Sequence, residues 1–186
     1  MNNIEISFIF PCTNCLLLTA MFILLAGALI TMSMMSATTG FIYTNGTPMQ
    51  RIKIPEWPMK YPALENLFLN TSEVTKQTIR SRLKIDFYFM PCAYLFLLCL
   101  GFYTQLNLDT ETFLENIFNY IIYLPMCSWV FDIGENILAL KQLNELSKPA
   151  ASWLYAASIC KWASVFIYVG FLAILVVVKL LQLIIQ

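Results

Sequence analysis

The sequence predicts an all-α polytopic membrane protein, with four transmembrane helices and an interfacial loop between the first two. Three observations carry this. Hydrophobic residues make up 59% of the 186-residue chain and charged residues only 12%, about half the charged share usual in soluble domains. Four runs, at about 16–37, 83–103, 117–140 and 150–181, are each long and apolar enough to cross a bilayer as a helix. The intervening stretches hold most of the charge and proline, as connections between spans would. The expected organisation is a single four-helix transmembrane domain over residues 1–186, with an extramembrane loop at 38–82.

In the first run, Leu16–Met35 contains no charge at all. No Lys or Arg precedes it, so a cleaved secretory leader, which needs a basic start, is not expected. Gly27 and Thr31 sit four apart near Ala20, Ala28 and Ser36, a spacing of small residues that lets helices approach closely in lipid.

The loop carries Pro48, Pro55, Pro58 and Pro62, which argues against a regular helix in its first part. Trp57 and Tyr61, with Lys53 and Lys60, suit the level of the lipid headgroups. After Pro62 the apolar residues can form a short helix lying on the bilayer. Asn70-Thr71-Ser72-Glu73 resembles a capping box with Asn70 as N-cap, so a helix should start near Thr71 and run into the second span.

The second span has Asp86 near its entrance, preceded by Arg80, Arg82 and Lys84, and should kink at Pro91. Residues 104–112 form a short acidic loop, and residues 141–149 the last turn. Pro149 suits the first turn of span four, which opens on small residues and carries Lys161 well inside. Lys179, near the far end, can snorkel to the surface.

The third span organises the rest. Asp132, Glu135 and Asn136 fall at i, i+3 and i+4 and therefore share one helix face. Pro125, Ser128 and Ala139 extend that stripe, which is polar or small throughout. A carboxylate costs roughly 2.5–3.5 kcal/mol at the centre of an inserted helix, so two on one stripe need partners or a wet cavity. At 1.5 Å per residue, Asp132 lies about 13 Å inward from Lys141, and Lys161 about 18 Å inward from Pro149. The two helices are joined by a short turn, so a Lys161–Asp132 pair is expected, with Glu135 as alternative acceptor. Asp86 enters from the same side and can join if span two packs on span three. The cluster is either a buried lock that sets helix order or a polar cavity for a headgroup, ion or proton.

Arg51, Lys53, Lys60, Lys76, Arg80, Arg82, Lys84, Lys141 and Lys148, nine of the eleven basic residues, lie on the side of the long loop. The positive-inside rule puts that side in the cytoplasm of the cell (inner) membrane, with both termini outside. Asn45-Gly46-Thr47 and Asn70-Thr71-Ser72 match the glycosylation acceptor pattern, which is short enough to arise by chance.

Composition excludes several chemistries. Histidine is absent, so there is no His-ligated haem or zinc, no Ser-His-Asp site and no imidazole relay. No basic tail supports nucleic-acid binding. No cofactor or metal is expected, although a phospholipid can be bound. Of six cysteines only Cys12-Thr13-Asn14-Cys15 has a motif spacing. It lies at the outer edge of span one, where a disulfide or thiol-redox pair is permitted. Cys92, Cys99, Cys127 and Cys160 lie in apolar runs, where cysteine acts as a small hydrophobe. Four spans plus a CxxC resemble the quinone-linked disulfide-forming membrane enzymes, but those use a second cysteine pair in a loop on the same face, and no other cysteine here lies in a loop.

A second resemblance rests on more residues. Asp86-Phe87-Tyr88-Phe89 opens span two, Leu124-Pro125 and Asp132-Ile133-Gly134-Glu135-Asn136 lie in span three, and Lys161 lies in span four. This pattern, over about residues 80–165, resembles an uncharacterised group of small four-span bacterial membrane proteins. The resemblance implies the fold and no activity. The expected role is a non-catalytic accessory subunit of a larger membrane complex or a homo-oligomer. The alternatives are a lipid-headgroup or ion-binding protein that uses Asp86, Asp132, Glu135, Asn136 and Lys161, and a thiol-redox enzyme acting through Cys12 and Cys15.

Overall fold

A computed structural model of the chain describes residues 3–38, 43–44, 47–48, 60–69, 72–107 and 113–185. It is all-α apart from a minimal antiparallel hairpin of β1 (Tyr43–Thr44) and β2 (Thr47–Pro48). The helices are α1 (Asn3–Thr38), α2 (Tyr61–Leu69), α3 (Glu73–Leu106), α4 (Phe113–Ile121), α5 (Leu124–Asn144) and α6 (Lys148–Ile185). Among the described residues, four stretches are long and apolar enough to cross a membrane: Thr13–Ala37, Glu73–Leu106, Asn116–Asn144 and Lys148–Gln182. The chain is therefore a multi-pass integral membrane protein.

α1 starts earlier than the apolar run it contains. Its hydroxyls bond back to the helix: Thr19 to the Cys15 carbonyl at 2.8 Å, Thr31 to that of Gly27 at 2.8 Å and Ser36 to that of Met32 at 3.0 Å. Polar side chains satisfied in this way can face lipid without an orphaned donor. The helix lies along α3, and Gly27 marks the close approach: a Cβ there would sit 2.9 Å from Cys92 Sγ. Gly27→Ala should therefore lower the melting temperature in detergent, at a cost of about 1–3 kcal/mol. Adding Cys92→Ala should restore most of the loss. No rescue would mean that the two helices do not meet there.

α3 begins two residues later than the capping-box reading, and its cap is Ser72, not Asn70. The Ser72 hydroxyl accepts from the Thr75 N–H at 3.3 Å. Asn70 and Thr71 lie outside the described residues, as do Trp57, the acceptor Asn45 and the side chain of Cys12. The helix then continues through Pro91 to Leu106.

The third span is not one helix. It breaks at Ile122–Tyr123, and α5 restarts with Pro125 in its first turn. The cause is local. Pro125 has no N–H to give the Ile121 carbonyl, and its ring would clash with that carbonyl in a continuous helix. The break lets α4 close across the end of the bundle, where Gln105 Nε2 donates to Asn119 Oδ1 at 2.6 Å.

α5 and α6 are joined by residues 145–147 alone. Buried Gln142 clamps this turn, donating to the Ser147 carbonyl at 2.7 Å and accepting from the Ser147 N–H at 2.8 Å. α2 does not merely lie on the bilayer. Its Leu64 and Phe68 are buried with Ile79, Leu83, Ala139, Leu143, Ala151 and Leu154. Lys148 Nζ stands 5.8 Å from the Tyr61 ring centre, and Arg80 donates to Asn144 at 2.6 Å, tying α2, α3, α5 and α6 at this end.

The bundle thus has layers. The loop end is closed by the Leu64–Leu154 cluster. The opposite end is closed by Phe118, Ile122, Tyr168, Leu172 and Leu175, with Phe118 and Phe171 stacked 6.0 Å apart. The charged residues lie between these two apolar layers.

Candidate functional site

The middle layer is built on α5. Its buried face reads Pro125, Ser128, Asp132, Glu135, Asn136, Ala139, Gln142 and Leu143, which contains the whole stripe expected from the 3.6-residue period. Asp132, Glu135 and Asn136 are 6%, 4% and 4% exposed, and Lys161 on α6 is 9% exposed, so these charges are turned inward. Polar groups at this depth are tolerable only when paired.

The pairing is close to complete. Lys161 Nζ lies 3.0 Å from Asp132 Oδ1 and also contacts Glu135 Oε2, so one ammonium serves two carboxylates. The second oxygen of Asp132 accepts from the Tyr94 hydroxyl on α3 at 2.8 Å. Asn136 Nδ2 donates to Asp86 Oδ2 at 2.7 Å, which joins α5 to α3. Ser158, also buried, lies against Glu135 from the α6 side. All five residues of the expected cluster, Asp86, Asp132, Glu135, Asn136 and Lys161, therefore meet in one place, and Glu135 shares Lys161 with Asp132 instead of merely substituting for it.

These groups line a cavity of about 450 Å³. Asp132, Glu135 and Asn136 supply one wall from α5, with Lys161, Trp162 and Val165 from α6 beside them. α3 contributes Arg82, Leu83, Asp86, Phe89 and Tyr94, and α1 contributes Met32, Met35 and Ser36. The packing order is α1 on α3, α3 on α5 and α5 on α6. α1 and α6 face each other across the cavity without the extended packing of the other pairs. The polar side of the cavity thus sits against α5, and its apolar side lies towards the α1–α6 cleft.

No family model, curated protein or solved structure matches this chain.

Two contributors lay beyond the sequence reading. Tyr94 falls four and eight residues after Met90 and Asp86, so all three share a face of α3, and a hydroxyl on that face was the available signal. Arg82 is one turn before Asp86 on the same face and lines the cavity, although by sequence it looked like one more basic residue at the membrane edge.

The cysteine motif is remote from this site. Cys15 is a free, exposed thiol on α1. Cys92, Cys99, Cys127 and Cys160 are also free thiols, each on a helix.

Proposed function

We propose that this chain is a membrane-embedded binding protein whose intramembrane cavity takes a small polar or charged group, such as a lipid headgroup. The observation that carries this is the cavity of about 450 Å³ on which the charges converge. A purely structural lock is best made by closing the helices tightly around an ion pair, since exposed charge in a gap is poorly compensated. Here the carboxylates and the ammonium face a space within the range that holds small molecules, with apolar walls and a few polar groups on one side.

Four helices of a single chain complete this site, which favours binding over a purely accessory role. The accessory or oligomeric reading retains one supporting observation. Ser152, Ala156, Ala163 and Gly170 form an exposed small-residue face on α6, and a Cβ on Gly170 would meet nothing within 4 Å. Helices in lipid associate through such faces. Stoichiometric co-purification of a second membrane protein would favour that reading. The thiol-redox reading draws no support from the site. The charge distribution supports a cytoplasmic loop side in a cell membrane, which would put the cavity in the cytoplasmic half of the bilayer.

Filling the cavity tests the binding reading. Val165→Trp should leave a folded protein and remove a bound species that native mass spectrometry detects on the wild type released from membranes. A wild type that carries no such species and binds no added small molecule would refute it.

A further inference from the structure

We propose that the ligand is a protonated amine joined to an apolar body, admitted sideways from the bilayer between α1 and α6. This rests on the binding reading above and specifies its chemistry. The first support is the charge on the cavity wall. Asp86, Asp132 and Glu135 face it with Arg82 and Lys161, so three carboxylates meet two cations. Lys161 is shared by Asp132 and Glu135, so one ammonium serves two acids, and a second cation can take the place of the proton that one of them would otherwise hold. In a medium of low dielectric constant, an ammonium brought to that acid is held strongly once the proton has left.

The second support is the rest of the lining. Trp162, Phe89 and Tyr94 contribute aromatic rings, and Met32, Met35 and Val165 contribute apolar and polarisable surface. Lys161 Nζ already stands 5.4 Å from the centre of the Trp162 ring, so that face accepts cationic company. Aromatic faces beside an acid that shares its ammonium are suited to a second ammonium group, and methionine walls adapt to apolar bodies of varied shape. The third support is access. The apolar lining lies towards α1 and α6, which do not pack along each other, so an amphiphile could enter head first while its tail stays in lipid. The amine could belong to a bilayer lipid or to a free amphiphile.

Titration in a neutral maltoside detergent, free of lipid amines, tests this. Decylammonium should bind saturably to the wild type, and decyl sulfate should not. Glu135→Gln removes the acid that shares Lys161 while leaving the Lys161–Asp132 pair, and should weaken decylammonium binding at least about tenfold. Asp86→Asn, which removes a charge on a different helix and keeps an acceptor for Asn136, should act in the same direction. A melting curve on each variant establishes that it is folded. Retention of ethanolamine lipids over glycerol lipids in native mass spectra would assign the amine to a lipid, and saturable decylammonium binding without such retention would assign it to a free amphiphile. Either result supports the proposal. Decyl sulfate binding as well as decylammonium, or unchanged affinity in both folded variants, would overturn the amine assignment while leaving a binding cavity. Saturable binding of neither probe, with no retained lipid, would remove the binding reading as well.

Discussion

Lys161→Met should destabilise the protein by about 3–5 kcal/mol, the usual cost of removing one partner from a buried charge pair. The reason is in the sharing: the variant strands Asp132 and Glu135 inside the bundle with no cation between them. Both carboxylates would then have to take up protons, or the helices would have to part to admit water. Glu135→Gln should behave differently, because Lys161 and Asp132 remain as a neutral pair at 3.0 Å. Its melting temperature should stay close to that of the wild type. The triple replacement Lys161→Met, Asp132→Leu and Glu135→Met should recover most of the stability lost in Lys161→Met, since a buried ion cluster exchanged for apolar groups is often nearly neutral. Thermal unfolding in one detergent, followed for the three variants side by side, checks the order. Equal loss in Lys161→Met and Glu135→Gln would mean that the shared ammonium is not what compensates the two acids.

Gly101→Val should cost about 3 kcal/mol at the other end of the bundle. A Cβ at Gly101 would lie 2.7 Å from the Tyr168 hydroxyl and 2.8 Å from Ile122 Cγ1. Tyr168 is fully buried, and its hydroxyl donates to the Leu97 carbonyl on α3, so the intrusion both overpacks the apolar layer and displaces a hydrogen bond. Tyr168→Phe removes the hydroxyl but leaves Ile122 in the way. Gly101→Val in the Tyr168→Phe background should therefore cost clearly less than in the wild type, yet more than nothing. Strict additivity of the two changes in melting experiments would show that α3 and α6 do not meet at this point.

Much of the fold was legible in the sequence because the bilayer makes the rules simple. Length and hydropathy reveal spans, since a crossing segment must satisfy its own backbone. The face of α5 was legible for a related reason. Asp132, Glu135 and Asn136 are costly in hydrocarbon, so the stripe that holds them must turn inward, and Pro125, Ser128 and Ala139 turned with it. The short turn before Lys148 made α5 and α6 neighbours, which brought Lys161 to Asp132.

What was not legible depends on tertiary contact. Pro125 was read as part of a polar stripe within one helix, whereas its missing N–H ends α4 and lets that helix close across the end of the bundle. Tyr94 looked like one aromatic among several in an apolar run, and only the crossing of α3 over α5 shows that its hydroxyl serves Asp132. Leu64 and Phe68 suggested a helix lying on lipid, because nothing local says that α3, α5 and α6 offer them a pocket. Arg82 belongs to the site only because α1, α3, α5 and α6 together bound a cavity that it lines.

A single lysine of the last helix pairs with two acids of the preceding one within the membrane. Solid-state NMR in lipid bilayers, on protein labelled with 15N in lysine side chains and 13C in aspartate and glutamate carboxyl groups, measures this directly. A strong dipolar contact from Lys161 Nζ to the carboxyl carbons of both Asp132 and Glu135, absent in Lys161→Met, is the predicted result. Carboxyl groups that show no contact with any lysine nitrogen would contradict it.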